Sequence, residues 1–578
     1  MVDDARSERD AAHAASDSAA TWSALPVFGL AAGLTALCLL LYGPALDGPY
    51  VSDDHGYLTS PYTASIDVES LMRAFDPFGD ARLYTGNYAP VHLLGHAIER
   101  QVFAEELAGY HIVNVLVHAL NAVLLVWLLL RSGLHPVAAW LAGLLFAVHP
   151  ANVEAVAWIS QLKTNGALAL SLAALLALQK HPLLATLCFA LALLTKASAA
   201  FALPMAAAFT WVRARGETPR DARPRGTWLF VWLAVFALYA LSQVQAFSHI
   251  GSADVPALDD PGVQLRTIAV VGAHYLLMAA TSIGVSAFQE PEPARSWLDP
   301  RWLAALPLAG LLGWRLFVTL RDRREEAAWW VAAAASFVPV SQLFPFLIPV
   351  ADRYLYFILP GLLGGLFLGL QQCLGGDTAR ERTVVRILMI VSIFAVIGFG
   401  ARSHERAKLW RNETLLLVDA ARHYPDGGTA HYLRARRHAQ EGTVAAAVAS
   451  LRRASELGVD RYDSIRRDPA FGPLRSDASF QALVFELAGV SIERAPPLLE
   501  STQPELLARA RAHLARAEDC SAAAALVRAA DVDGPLADVV RRELDALRDS
   551  RALEACEGLS TEESGGQWSD GEGSDHRR

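Results

Sequence analysis

The chain is 578 residues long, 53% hydrophobic and 19% charged, with a net charge of −9 and a mean hydropathy of +0.27. A soluble domain is about 45–50% apolar and about 25% charged, so the excess apolar surface needs lipid as its solvent. The acidic balance, with no dense basic tract, excludes a nucleic-acid-binding protein.

Apolar residues concentrate before about residue 401 and charges dominate after it, so a lipid-solvated region followed by a water-solvated one is expected. Residues 1–23 read as a disordered cytoplasmic N-terminus. Ala24 to Leu41 is apolar over the roughly 18 residues of a membrane span. It comes too late, and too many spans follow, for a cleaved signal peptide. Further apolar runs fall near 110–130, 136–149, 162–178, 182–195, 198–212, 228–247, 266–287, 302–320, 328–348, 354–373 and 385–401. Each must be helical, because lipid offers no partner to backbone N–H and C=O groups.

Three arginine clusters orient these spans. Arg213 to Arg225, Arg321 to Arg324 and Arg380 to Arg386 belong in the cytoplasm by the positive-inside rule. An even number of crossings must separate the first two clusters, yet three apolar runs lie between them. The run 266–287, with His274, Thr281 and Ser282, is therefore expected to be a re-entrant or interfacial helix on the outer side. About eleven crossings remain. They place the N-terminus inside and the C-terminal region outside, with the large first loop 44–88 and the segments 149–161, 195–198 and 349–353 also outside. Arg far outnumbers Lys, which stands only at 163, 180, 196 and 408; with abundant Ala this suggests a GC-rich bacterium and hence its inner membrane.

After residue 401 the pattern is helical. Ala435, Gly442, Ala447 and Ala454 are spaced as the small residues of a tetratricopeptide (TPR) repeat, where two antiparallel helices approach closely. Ala420 and Pro425 fit a preceding half-repeat, and Phe471, Leu474, Phe480 and Leu483 a capping pair. The expected domains are thus 24–401 in the membrane, a TPR-like domain over 402–497, a helical extension over 498–560 and a disordered tail over 561–578. Cys38, Cys188 and Cys373 lie in or beside apolar runs. Cys520 and Cys556 have no metal-ligand spacing and could pair in an oxidising compartment.

Three outer segments carry chemistry-bearing residues. The first is Tyr50-Val51-Ser52-Asp53-Asp54-His55, two adjacent carboxylates that could equally cap a helix. The second is His149-Pro150 with Asn152, Glu154 and Trp158, in which Glu154 and Trp158 share a helical face at i,i+4. The third is Ala351-Asp352-Arg353-Tyr354. Its arginine breaks the positive-inside trend, so either an anion or an Asp352–Arg353 pair holds it there.

Together these segments resemble the GT-C glycosyltransferases. Tyr50 to His55 is similar to their acidic first-loop motif. Gly109 to His111, Asn114, His118, Phe146 to Trp158, Leu194 to Lys196, Pro339 to Gln342, Asp352 to Tyr356 and Trp410 to Glu413 resemble the transmembrane and TPR-containing protein O-mannosyltransferases, in the same order. Three features depart from that family: Lys163 stands where an Arg is usual, the segment 248–300 matches poorly, and the repeats are few. The departures bear on sugar and acceptor more than on the type of reaction.

The resemblance implies an all-α membrane bundle of GT-C type. It also implies inverting transfer of a sugar, mannose by family analogy, from a polyprenyl-phosphate donor to an acceptor hydroxyl on a protein Ser or Thr, or on a glycan. One carboxylate must take the hydroxyl proton. The leaving lipid phosphate is already a stable anion, so no second acid is required, unlike glycoside hydrolysis. Asp54 is the first choice of base and Asp53 the second. Arg353, Lys196 and Lys163 are expected on the donor phosphate, and His149, Glu154 and His55 in substrate positioning. Asp53, Asp54 and His149 have the oxygen-rich character that suits Mg²⁺ or Mn²⁺. Arg and Lys alone can neutralise the phosphate, however, so no metal and no cofactor are expected. A non-enzymatic scaffold for the repeat region would need only one span. A lipid-linked substrate transporter would place ionisable groups at the bilayer midplane.

Overall fold

The computed structural model describes residues 24–58, 60–79, 81, 87–214, 226–247, 260–343, 348–374, 378–459, 468–474 and 537–549, with single positions between. Every regular element among them is a helix. Two compact units divide the chain, residues 1–433 and 434–578.

In the first unit α1 spans Ala24–Tyr42, α2 Asp53–Leu58, α3 Val68–Phe75, α4 Pro90–Phe103, α5 Leu107–Arg131, α6 Pro136–Ala147, α7 Asn152–Ala157, α8 Leu162–Ala177, α9 Pro182–Thr195 and α10 Ala202–Arg213. They are followed by α11 Thr227–Phe247, α12 Pro261–Thr281, α13 Pro300–Arg321, α14 Glu326–Phe337, α15 Asp352–Cys373, α16 Ala379–Ala407 and α17 Glu413–His423. Proline opens α4, α6, α9, α12 and α13, where its missing N–H costs nothing. Thr378 and Glu381 form a capping box at the start of α16. Seven helices among the described residues are long and apolar enough to cross a membrane by length and composition. Outward-facing Leu306, Trp314 and Phe317 on α13 and Ile390, Phe394 and Ile397 on α16 form the apolar surface such spans present to lipid.

Polar contacts sort the helix ends into two sets. At one end Arg131 reaches the Leu176 carbonyl, the His135 N–H meets Gln371 at 2.7 Å, Arg213 pairs with Glu325, and Arg324 meets Gln372 at 3.1 Å. These are the arginine-bearing ends. At the other end lie the acidic first loop, the segment after α6, Lys196 and the start of α15. Helix α6 has 12 residues and rises only about 18 Å, well short of roughly 30 Å of hydrocarbon. The segment after it is correspondingly sunk among the helices, and every residue from His149 to Gln161 is buried.

Helix α12 is one continuous element over Pro261–Thr281, where sequence placed the run at 266–287; left-handed Ser282 and Gly284 turn the chain instead. It has the length of a span, but its polar contacts all lead to the second end. Gln264 donates to the Gln342 and Leu343 carbonyls at 3.1 and 2.9 Å. Arg266 meets the Ala294 and Arg295 carbonyls, Tyr275 the Ala351 backbone, and the Ala279 carbonyl His149.

Close helix approach positions α15. A Cβ on Gly364 would lie 2.1 Å from the Trp329 ring, and one on Gly361 2.5 Å from the Ala333 nitrogen. Only glycine allows α14 and α15 this contact, as small residues do in membrane bundles.

Residues 402–433, assigned from sequence to the tail domain, belong to the first unit. Trp410 stacks on Trp158 with ring centroids 6.0 Å apart, and Leu416 is buried in the main core. Ala420 and Pro425, the expected half-repeat, therefore lie in the first unit too. Helix α18 (Gly428–Gln440) leads through Gly442, at φ +73°, into α19 (Val444–Glu456), which lies in the second unit. Ala435, Ala439, Ala447 and Ala454 are all buried, the small-residue contact expected of a helical hairpin. Residues 1–23, 561–578, Cys520 and Cys556 lie outside the described residues.

Candidate active site

The acidic pair is split by its surroundings. Asp54 is buried and uses both oxygens: Oδ2 accepts the Val51 N–H at 2.9 Å, and Oδ1 accepts the Ser160 N–H at 2.7 Å. Trp158 Nε1 donates to the Val51 carbonyl at 2.9 Å, so the first loop and the segment after α7 are joined by two hydrogen bonds, from Ser160 and from Trp158. Burial pushes the Asp54 carboxyl up to about 7; the charge of Asp53 adds to this, and the two backbone donors oppose it. Asp53, at the first position of α2, is exposed, and its Oδ2 lies 3.6 Å from Lys163 Nζ. One carboxylate is structural glue and the other is open.

Glu154 and Arg353 form the second element. The Arg353 backbone N–H donates to Glu154 Oε2 at 2.7 Å, and its guanidinium pairs with Oε1 of the same carboxylate. The guanidinium also lies over the Trp158 ring, 5.3 Å from its centroid. Asn114 holds this segment from below, donating to the Trp158 and Ile159 carbonyls at 2.9 and 3.1 Å. The Asp352–Arg353 neighbour pair, one of the two alternatives left open by the sequence, gives way to two longer-range pairs. Arg353 takes Glu154, and Asp352 takes Arg406 at 3.4 Å. Adjacent residues at a helix start point in different directions, which a linear reading cannot see.

Two lysines complete the cluster. Lys163 Nζ donates to Tyr57 Oη at 3.3 Å and lies 4.8 Å from that ring's centroid. Lys196, at the turn after α9, donates to Thr164 Oγ1 at 2.7 Å. Among the described residues no carboxylate lies within ion-pairing distance of it. Burial, then the charges of Lys163 and Arg353, push its pKa well down, while Glu154 and Asp53 oppose that shift from further away. Three cations face two carboxylates here, and Glu154 is already engaged by Arg353. The cluster has an open acid and a surplus of positive charge, so it can take a proton and bind an anion.

Comparison with known proteins bears on what such a cluster does. No family model matches the chain. The protein O-mannosyl-transferase Tmtc1 of Drosophila melanogaster is 34% identical over 144 residues, covering 24% of this chain and 16% of that relative's length. The chain resembles a GT-C glycosyltransferase. A solved structure, the archaeal oligosaccharyltransferase AglB from Archaeoglobus fulgidus in complex with an inhibitory peptide and a dolichol-phosphate, aligns over 67% of this chain and 56% of that one. Their identity is 14% and the TM-score 0.39.

Not every expected residue joins the cluster. His149 Nδ1 accepts the Ala151 N–H at 3.2 Å and Nε2 donates to the Ala279 carbonyl at 3.1 Å, so the ring braces α12 instead of facing the acids. A metal set of Asp53, Asp54 and His149 is not assembled. Among the described residues no group of three or more His, Cys, Asp or Glu is placed to hold a metal ion. His55 lies in α2, and its side chain is outside the described residues.

Other residues near the site were missed. Tyr57 supports Lys163 and packs edge-on against His92, whose ring lies 4.5 Å from His96; His96 Nδ1 is 2.7 Å from Glu99. Burial first, then His96, Lys163 and Lys196, push the His92 pKa well down. The signal was available in sequence: His92, His96 and Glu99 recur at helical spacing on an otherwise apolar face of α4. Arg406 gave no such signal, because it sits among the ordinary charges after the last apolar run.

Proposed function

We propose that this protein is a membrane glycosyltransferase that moves a sugar from a polyprenyl-phosphate donor to an acceptor hydroxyl, with Asp53 in place of Asp54 as general base. The observation that supports this most is the gathering of exposed Asp53 with Lys163, Lys196 and Arg353 at one end of a lipid-facing helix bundle. An open carboxylate next to surplus cations is what hydroxyl attack with a phosphate leaving group requires.

In the proposed reaction the acceptor hydroxyl gives its proton to Asp53 while its oxygen attacks the anomeric carbon. The bond from that carbon to the phosphate oxygen breaks on the opposite face, and its electron pair leaves with the phosphate. The configuration inverts. Arg353, Lys196 and Lys163 stabilise the departing charge, and Asp53, being exposed, returns its proton to water. Glu154 orients Arg353, and Asp54 holds the loop that carries Asp53. The lipid tail lies among the spans.

In this reading about eleven helices cross the membrane, α12 lies at the interface, and the site faces the extracytoplasmic side of a bacterial inner membrane. Tmtc1, by its name a protein O-mannosyl-transferase, favours mannose as the sugar and a protein hydroxyl as the acceptor. The TPR-like second unit would then help select that acceptor. The test incubates membranes containing the protein with labelled polyprenyl-phosphate mannose and measures the mass of the product. A mass increase of one hexose on a protein acceptor is expected. Label remaining wholly on the donor lipid overturns the proposal.

A further inference from the structure

Arg406 sits near the end of α16, a helix of 29 residues that rises about 44 Å and so continues past roughly 30 Å of hydrocarbon. Its buried guanidinium reaches partners from three other segments: Asp352 at 3.4 Å, Asp419 at 3.4 Å and the Val285 carbonyl at 3.2 Å. Both carboxylates are tied further. Asp352 Oδ1 accepts Gln289 Nε2 at 2.7 Å and the Ser286 N–H at 3.2 Å. Asp419 Oδ2 accepts the Ala287 N–H at 3.1 Å. One guanidinium therefore joins α16, α17, the loop after α12 and the first turn of α15.

Asp352 directly precedes Arg353. A buried carboxylate at this place has Arg406, Arg402 one turn earlier on the same helix and its own neighbour Arg353 as the cations around it, and the choice among them decides what Arg353 is free to do. Paired with Arg406, it leaves the Arg353 guanidinium to Glu154 and to an incoming anion. Deprived of Arg406, the carboxylate either takes up a proton or turns to a remaining cation, Arg353 among them, because a buried charge cannot stay unpaired at low cost.

We infer that Arg406 is a positioning residue for the donor phosphate. It neutralises Asp352 and fixes the first turn of α15, so that Arg353 meets the lipid phosphate and not its own neighbour. The inference rests on the glycosyl-transfer reading. It makes the C-terminal end of the last long apolar helix part of the reaction machinery, where the sequence reading assigns residues from 402 on to a separate tail domain.

The test uses the full-length protein in nanodiscs and a polyprenyl phosphate without sugar as the probe, alongside donor kinetics and thermal melting. Arg406→Met should weaken binding of the bare lipid phosphate at least tenfold and raise the donor KM in parallel, with the acceptor KM unchanged. Adding Asp352→Asn should recover most of that loss, because the competing carboxylate is gone. A staple with no electrostatic role predicts instead that the double variant is no better than the single one, and that result overturns the inference. Unchanged binding of the bare lipid by Arg406→Met, whatever its melting temperature, does the same. If Arg406→Met does not fold, Arg406→Lys serves: one ammonium cannot reach both carboxylates, so severalfold weaker binding is expected and wild-type affinity refutes the idea. Wild-type protein that binds no polyprenyl phosphate defeats the transfer reading itself, and this inference with it.

Discussion

Lys163 Nζ lies 3.6 Å from the carboxylate of Asp53, whereas Asp54, its immediate neighbour, spends both oxygens on the backbone N–H groups of Val51 and Ser160. That difference assigns the two acids separate tasks. Their substitutions should therefore fail in different ways.

Asp54→Asn should act through stability and its pH dependence. Burial holds the folded-state pKa at about 7, above the ordinary value of 3.8, so the folded chain keeps a proton in this window that the unfolded chain has released. The stabilising contribution is complete below the unfolded value and is lost as pH rises through about 7. From pH 5 to pH 8 the wild type should lose on the order of 3 kcal/mol through this group. The Asn variant, having nothing to titrate there, should show a flatter unfolding profile over the same range. Parallel pH profiles for the two proteins would contradict the assignment.

Lys196→Met should separate binding from stability. The ammonium is buried with Thr164 as its hydrogen-bond partner and with two like charges nearby, so removing it relieves repulsion. Thermal stability should be unchanged or slightly higher. Affinity for a polyprenyl phosphate should fall by roughly tenfold or more, the worth of one charge-assisted hydrogen bond. A variant that melts early and still binds the lipid phosphate as tightly as wild type argues against this role.

Glu154→Gln leaves Arg353 without its counter-charge in a largely buried site. Removing one partner of a buried pair costs about 3–5 kcal/mol, and unfolding in denaturant should show a loss of that order. Removing both charges, with Glu154→Gln and Arg353→Met together, should recover stability but not transfer. Equal stability of the single variant and wild type would show that the pair carries no structural weight.

Gly364→Ala tests the packing that holds α15. Its new methyl would lie 2.1 Å from the Trp329 ring, so the two helices must separate. Overpacking of this kind costs about 1–3 kcal/mol, visible as a lower melting temperature. Retention of wild-type stability would mean that the α14–α15 contact is looser than described.

Much of the site was legible because its residues are chemically out of place. Two carboxylates, a glutamate and an arginine stand out in a region poor in charge, and sidedness alone gathered Asp53, Glu154, Lys196 and Arg353 at one end. What sequence could not rank was Asp53 against Asp54, since the choice depends on which of two adjacent side chains turns toward Ser160, 106 residues away. His149 misled for a similar reason: its place in a motif is plain, but its ring faces the Ala279 carbonyl, 130 residues on. The domain boundary was misplaced because polarity marks where lipid ends, and residues 402–433 leave the apolar pattern while still packing with the first unit. Helix α12 begins and ends earlier than the apolar run 266–287 suggested, because Asp260 caps it with Pro261 in its first turn and left-handed Ser282 ends it.

The most direct measurement is single-turnover transfer of labelled sugar from polyprenyl-phosphate donor to acceptor by Asp53→Asn, in protein shown to insert, to melt like wild type and to bind bare polyprenyl phosphate normally. With the proton acceptor gone and the cations intact, the rate should drop by about 10²–10⁴-fold at unchanged donor affinity. Transfer at the wild-type rate by this variant would contradict the account.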